Sequence, residues 1–98
     1  MNIKQQCEQA SILTPDDFSA ADQSTLRSMV SAARHAGAVD TSVSVGSISR
    51  GKTTRYEGVH DGARFVVTEE RALGASDRVT GMSLTFGGGQ IIRLGRLF

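Results

Sequence analysis

The spacing of apolar residues changes from helical to strand-like near residue 40, and this change constrains the fold more than any other feature. Before it, four apolar residues follow an i, i+3, i+4, i+7 pattern: Leu26, Met29, Val30 and Ala33. This pattern indicates a helix with one apolar face. After residue 40, β-branched and small polar residues alternate in TSVSVGSIS and RVTGMSLTF, which indicates strands. The sequence therefore predicts a helix followed by β-structure.

The helix has recognisable end signals. Thr14 suits the N-cap, Pro15 suits the first helical position, and Gly37 suits the C-terminus. We predict a helix over 15–36, or 14–37 with its caps, in one or two pieces. A break is expected near 19–24, because Asp22 interrupts the earlier apolar stripe.

Short connections organise the rest of the chain. The Asp61-Gly62 dipeptide is a strong hairpin signal, and Arg50-Gly51 predicts a second turn. Such connections make neighbouring strands antiparallel. The predicted fold class is α+β: an N-terminal helix, intact or broken, packed on a four- to five-stranded antiparallel β-meander as a two-layer sandwich. We predict one domain over 1–98, with a helical turn or arm at 1–13 and the sheet at 40–98.

The predicted core consists of the helix stripe and the apolar residues that alternate along the strands. On the strands these are Val43, Val45, Phe65, Val67, Met82, Leu84, Phe86, Ile92 and Leu94.

One segment matches a nucleotide-binding pattern. GSISRGKT at 46–53 fits G-x-x-x-x-G-K-[ST], which binds phosphate where a strand leads into a helix. The residues that follow, TTRYEGVHDG at 53–62, are β-branched or glycine-containing and lack an apolar stripe at helical spacing. We therefore predict a hairpin with Gly51 in its turn and with Arg50 and Lys52 at its exposed tip.

Composition argues against several classes of protein. The chain has 39% hydrophobic and 21% charged residues, which is typical of a folded globular protein. Cys7 is the only cysteine, so no intrachain disulfide or cysteine metal cage can form. No run approaches the roughly 18 apolar residues of a membrane span, and no signal peptide is recognisable. We predict a cytoplasmic protein without a membrane partner and without a cofactor.

No catalytic or metal-ligating set stands out. His35 at the helix end and His60 before the Asp-Gly turn have plain structural explanations. Small ribonucleases of the barnase and RelE type set a helix against an antiparallel sheet and use Glu, His and Arg. Residues of these types are present at Glu57, His60, Arg64 and Arg93, but no motif matches.

Strand alternation predicts a partner surface. Tyr56, Phe65, Val67 and Leu94 are expected to point inward, and this sends the neighbouring arginines to the opposite face. The predicted partner-binding residues are Arg50, Lys52, Arg55, Arg64 and Arg93. Guanidinium groups bind carboxylates and phosphates with paired hydrogen bonds. The alternative is a solvated face whose arginines pair locally with Glu57 and Glu69.

The sequence favours a small non-catalytic cytoplasmic binding protein that acts through protein–protein contact. Inhibitors and regulators encoded by phages and mobile elements are often of this kind. The first alternative is a nucleic-acid-binding module that uses the arginine-bearing face, and a small ribonuclease is a less favoured one. The net charge of +1 and the shortage of aromatic residues for base stacking weigh against nucleic acid. The sequence leaves the oligomeric state open.

Overall fold

A break at Phe18–Ser19 divides the N-terminal helical segment. In the computed structural model, which describes residues 3, 12–45, 50–73, 78–86 and 91–94, Pro15–Asp17 form a 3-10 turn and helix α1 spans Ala20–Ala36. The Asp17 Oδ2 atom accepts from the Thr14 N–H at 2.8 Å. The Ser19 Oγ atom accepts from the Asp22 N–H at 3.2 Å, so α1 has its own N-cap. Two successive caps thus explain the two helical pieces.

Within the described residues, six strands form one sheet. They are β1 (Ile12–Leu13), β2 (Asp40–Val45), β3 (Arg50–His60), β4 (Ala63–Leu73), β5 (Arg78–Thr85) and β6 (Ile91–Arg93), in the order β1-β6-β5-β4-β3-β2. Strands β2 to β6 form an antiparallel meander, as short connections require. The predicted α+β fold, a helix on a four- to five-stranded antiparallel meander, is confirmed, and the meander has five strands.

Strand β1 is an addition that the sequence did not predict. It pairs parallel to β6, with Ile12 opposite Ile91 and Leu13 opposite Ile92. Residues 1–13 were expected to form a helical turn or an arm, but a two-residue strand is too short to show alternation. Ile3 is buried in the core, whereas 4–11 lie outside the described residues.

Positive φ angles mark the predicted helix end and the predicted Asp61-Gly62 turn. Gly37 has φ 99° and donates its N–H to the Arg34 carbonyl at 3.1 Å, which ends α1. Asp61 and Gly62 have φ 50° and 76° between the paired residues His60 and Ala63, as a two-residue hairpin requires.

The predicted turn at Arg50-Gly51 is wrong. Gly51 lies within β3, paired with Ser44 on one side and Ala72 on the other. Strand β2 is described as far as Val45 and β3 from Arg50 onward, and residues 46–49 lie outside the described residues. Glycine weakens a strand but does not exclude it, and the pairing of Gly51 on both sides outweighs its turn propensity.

The core lies between α1 and the inner face of the sheet, which is the face that α1 covers. Its members are Ile3, Phe18, Leu26, Met29, Val30, Ala33, Phe65, Val67, Met82, Leu84, Ile92 and Leu94, with Tyr56 and Phe86 packed against them.

One predicted core residue is misplaced. Val43 is 54% exposed. It lies on the edge strand β2, has a neighbour on one side only, and sits opposite the polar Lys52. The side chain of Val45, the other β2 residue in the predicted core, lies outside the described part.

We expect Leu84→Ala to lower the free energy of unfolding by about 2–5 kcal/mol, the usual cost of truncating a buried leucine. Leu84 is fully buried at 0% exposure and pairs with Val67 of β4 and Ile92 of β6 near the end of β5. The measurement is urea denaturation followed by circular dichroism. Val59→Ala is the matched control, because Val59 is 66% exposed. Equal losses in the two variants would contradict the core assignment.

Candidate functional site

The outer face of the sheet, opposite α1, carries a row of polar residues across four strands. Arg55 on β3 pairs with Thr68 on β4, which pairs with Ser83 on β5, which pairs with Arg93 on β6. We call these four residues the outer row. At about 4.8 Å per strand, its two arginines are about 14 Å apart across the sheet.

The buried strand residues next to the outer row explain its orientation. Val67, Leu84 and Ile92 are all 0% exposed and lie in one core cluster. Successive side chains of a strand point to opposite faces, so Thr68, Ser83 and their row partners face away from the core.

Three of the five predicted partner-binding residues have exposed side chains on the outer face: Arg55, Arg64 and Arg93. Arg64 lies four positions from Thr68 along β4, toward the Asp61-Gly62 turn. It is therefore displaced from the outer row by about 13 Å.

Lys52 is not part of this surface. It alternates with the buried Thr54 and so belongs to the inner face. It is half-buried within β3 rather than exposed at a hairpin tip, because β3 begins two residues earlier. The structure places Arg50 at the start of β3, but its side chain lies outside the described part.

Two of the outer arginines pair locally. The Arg64 Nη2 atom is 3.3 Å from Glu57 Oε2, and the Arg55 Nη1 atom is 3.9 Å from Asp40 Oδ2. Exposed pairs of this kind contribute about 0–1 kcal/mol, so each guanidinium can exchange its partner at little cost. Arg93 forms no ion pair with any residue that the structure describes.

A shallow depression of about 450 Å³ adjoins Arg93 on the outer face. Its polar side chains are Thr68, Glu70, Thr80, Ser83 and Arg93. The Thr80 hydroxyl donates to the Glu70 carbonyl at 3.2 Å, which uses its donor. The depression thus offers a guanidinium, a carboxylate and hydroxyls to a polar group of an incoming molecule.

A buried carboxylate lies on the inner face. Glu69 is 5% exposed, and both Arg34 of α1 and Arg71 of β4 donate hydrogen bonds to it, the latter at 3.2 Å. Burial raises the pKa of Glu69, but the hydrogen bonds and charges of Arg34 and Arg71 together lower it more, and it lies below the ordinary 4.5. This cluster joins the helix to the sheet and lies away from the outer row.

The inner position of Glu69 was missed. Glu69 was expected to pair locally with the arginines of the outer face. Its spacing of two from Phe65 and Val67 indicates the inner face, and Arg71 continues the same spacing. This alternation was the signal in the sequence that could have placed Glu69 on the inner face.

The ribonuclease-type residues do not converge. Glu57 and Arg64 are in contact, but Arg93 lies three strands away from Glu57. His60 ends β3, and its Nε2 atom is 3.4 Å from Asp61 Oδ2. Within the described ranges, no three His, Cys, Asp or Glu side chains are grouped so as to hold a metal ion.

The segment after the phosphate-loop pattern is a strand. Residues 50–60 form β3, so a helix N-terminus does not follow Lys52, and residues 50–53 of the pattern pair with β2 and β4.

No family model, curated protein or solved structure matches the chain. None of the described helices is both long and apolar enough to cross a membrane.

We expect the stability of the protein to fall in acid through Glu69. Its folded-state pKa lies below 4.5, so its contribution is fully present above that pH. The contribution is lost as the pH falls through the folded pKa, because the unfolded state takes up the proton first. Glu69→Gln is expected to remove this part of the acid sensitivity and to cost about 1.5–3 kcal/mol at neutral pH. Urea denaturation between neutral pH and pH 3 measures both effects.

Glu70→Gln is the control for Glu69→Gln, since Glu70 is the exposed neighbour on β4. It is expected to keep the acid sensitivity of the parent protein. An equal loss of acid sensitivity in both variants would show that Glu69 is not the responsible carboxylate.

We expect ATP or GTP with magnesium to leave the melting temperature unchanged. A ligand at about 100 times its Kd stabilises a protein by about 2.7 kcal/mol, which a thermal melt detects readily. A nucleotide-dependent rise that is abolished in Lys52→Ala would contradict the assignment of GSISRGKT to a hairpin.

Proposed function

We propose that the protein is a small non-catalytic binding protein that acts through protein–protein contact, and that its contact surface is the outer face of the sheet. The observation that carries the proposal is the outer row, with Arg55 and Arg93 at its ends and the hydroxyls of Thr68 and Ser83 between them. No described element covers this face, whereas α1 covers the opposite one.

The chemistry of the face favours a protein partner with exposed carboxylates. Guanidinium groups at interfaces are frequent sources of binding energy, because they form paired hydrogen bonds and shed water more easily than ammonium groups. Arg93 has no competing ion pair among the described residues and adjoins the depression. An acidic side chain of a partner would fit there, with hydroxyls beside it.

The charge balance weighs against a nucleic-acid backbone. Among the described side chains, Asp40, Glu57 and Glu70 lie on the outer face beside Arg55, Arg64 and Arg93, so these charges balance. Binding to phosphate backbones relies on excess positive charge. In addition, Tyr56 packs against the core, which leaves no described aromatic side chain on this face for base stacking.

A cytoplasmic location is part of the proposal. It rests on the single cysteine of the sequence. A role as an inhibitor or regulator, and an origin in a phage or mobile element, rest on small size alone and stay predictions.

We expect the combined variant Arg55→Gln, Arg64→Gln and Arg93→Gln to weaken partner binding about tenfold or more, equal to about 1.4 kcal/mol or more. Glutamine removes the charges without placing new carboxylates beside Asp40 and Glu57. The assay is an affinity pull-down from the native host, with and without nuclease. Arg27→Gln is the control, because Arg27 is an exposed arginine on α1, away from the outer face.

The expected result is a protein that the parent and Arg27→Gln retain after nuclease treatment and that the triple variant loses, with identical circular dichroism spectra. Retention by the triple variant would refute the assignment of the outer face. Loss of the captured material on nuclease treatment would favour the nucleic-acid alternative.

A further inference from the structure

Strand β2 is a six-residue edge of the sheet. Each of its residues pairs with β3 in one continuous register, from Asp40 opposite Arg55 to Val45 opposite Arg50. Among the described residues, no strand pairs with its other side. An antiparallel strand directs the N–H and C=O groups of every second residue to each side, so a row of backbone donors and acceptors faces outward. The opposite edge, β1, has two described residues.

This edge lacks the devices that usually prevent pairing with another strand. Natural edge strands carry charges, proline or bulges. The stretch 41–45 has no charged residue and no proline, and its register with β3 is regular. Val43 and Val39 are also exposed at 54% and 55%. Both the backbone and the apolar side chains therefore favour association at this edge.

The strand is complementary to its own copy. Antiparallel pairing about a two-fold axis at Val43 sets Val43 opposite Val43 of the second copy, Ser42 opposite Ser44, and Thr41 opposite Val45. Residues directly opposite each other lie on the same face of a sheet, so valines and threonines pair on one face and serines on the other. Asp40, the only charged residue of the strand, lies beyond the 41–45 overlap. No like charges therefore lie opposite each other between the two copies.

We propose that the chain forms a two-fold symmetric dimer in which the β2 strands of two copies pair antiparallel and join the sheets into one. A two-fold interface uses the same surface on both copies, and a strand that matches itself satisfies this requirement. The proposal does not depend on the outer row or on the proposed function.

The test is the molecular mass in solution, measured by sedimentation equilibrium over a series of concentrations. We expect the parent to approach twice the 10.4 kDa mass of the chain as concentration rises. Val43→Glu is expected to stay monomeric, because two carboxylates would then face each other at the axis. Within its own chain the new carboxylate lies opposite Lys52, so the fold is retained.

Val59→Glu is the matched control. Val59 is also an exposed valine, and it also lies opposite a basic residue, Arg64. It is expected to dimerise like the parent. A parent that is monomeric at every concentration, a Val43→Glu variant that still dimerises, or a Val59→Glu variant that does not would each overturn the proposal.

A cross-linking measurement tests the register independently. In a Cys7→Ser background, Val43→Cys is expected to form an intermolecular disulfide on mild oxidation, since opposite residues have Cβ atoms about 4.5–5.5 Å apart, near the disulfide range. Val59→Cys in the same background should cross-link far more slowly. Equal rates for the two variants would overturn the axis at Val43.

Discussion

The burial of the apolar stripe of α1 against the inner face of the sheet is the contact on which the rest of the structure depends. Leu26 and Val30 of the helix and Val67 and Leu84 of the sheet are all fully buried in one cluster. Each such side chain contributes about 1.5–3 kcal/mol when buried. Because strand residues alternate between faces, this contact also decides which residues are left on the outer face. The outer row is thus a consequence of the core.

The charged cluster at Glu69 adds a positional constraint to this contact. Burying a carboxylate is costly, and its pairing with arginines offsets that cost rather than yielding a large surplus. The pairing requires the last turn of α1, which carries Arg34, to lie near Glu69 on β4. An apolar stripe alone would allow the helix to slide along the sheet. Such sliding would separate Arg34 from Glu69 and leave a buried carboxylate with one partner fewer, which is costly. The ion pairs therefore favour one placement of the helix.

Local features were predicted from the sequence, and features set by the assembled sheet were not. The helix stripe, the Gly37 terminus and the Asp61-Gly62 hairpin depend on residues close together in the chain. Strand β1 depends on β6, which is far away in sequence. Likewise, nothing local indicates that β2 is an edge, so Val43 was assigned to the core. For the candidate site, alternation placed Arg55, Arg64 and Arg93 correctly on one face. The local partner of Arg55, Asp40, could not be identified before the pairing of β2 with β3 was known.

The outer face and the β2 edge are different surfaces, and geometry links them. In a continuous sheet the two-fold axis of an antiparallel strand pair is perpendicular to the sheet, so both copies present their outer faces on the same side. With the axis at Val43, the two Arg55 residues would be about 14 Å apart across the strands and about 20 Å apart along them. A partner with two acidic patches could then engage both copies, and the second contact would form at a high effective concentration. Each outer face binds weakly on its own, because its described charges nearly balance. Two such faces would gain affinity from this arrangement without any additional contact within one copy.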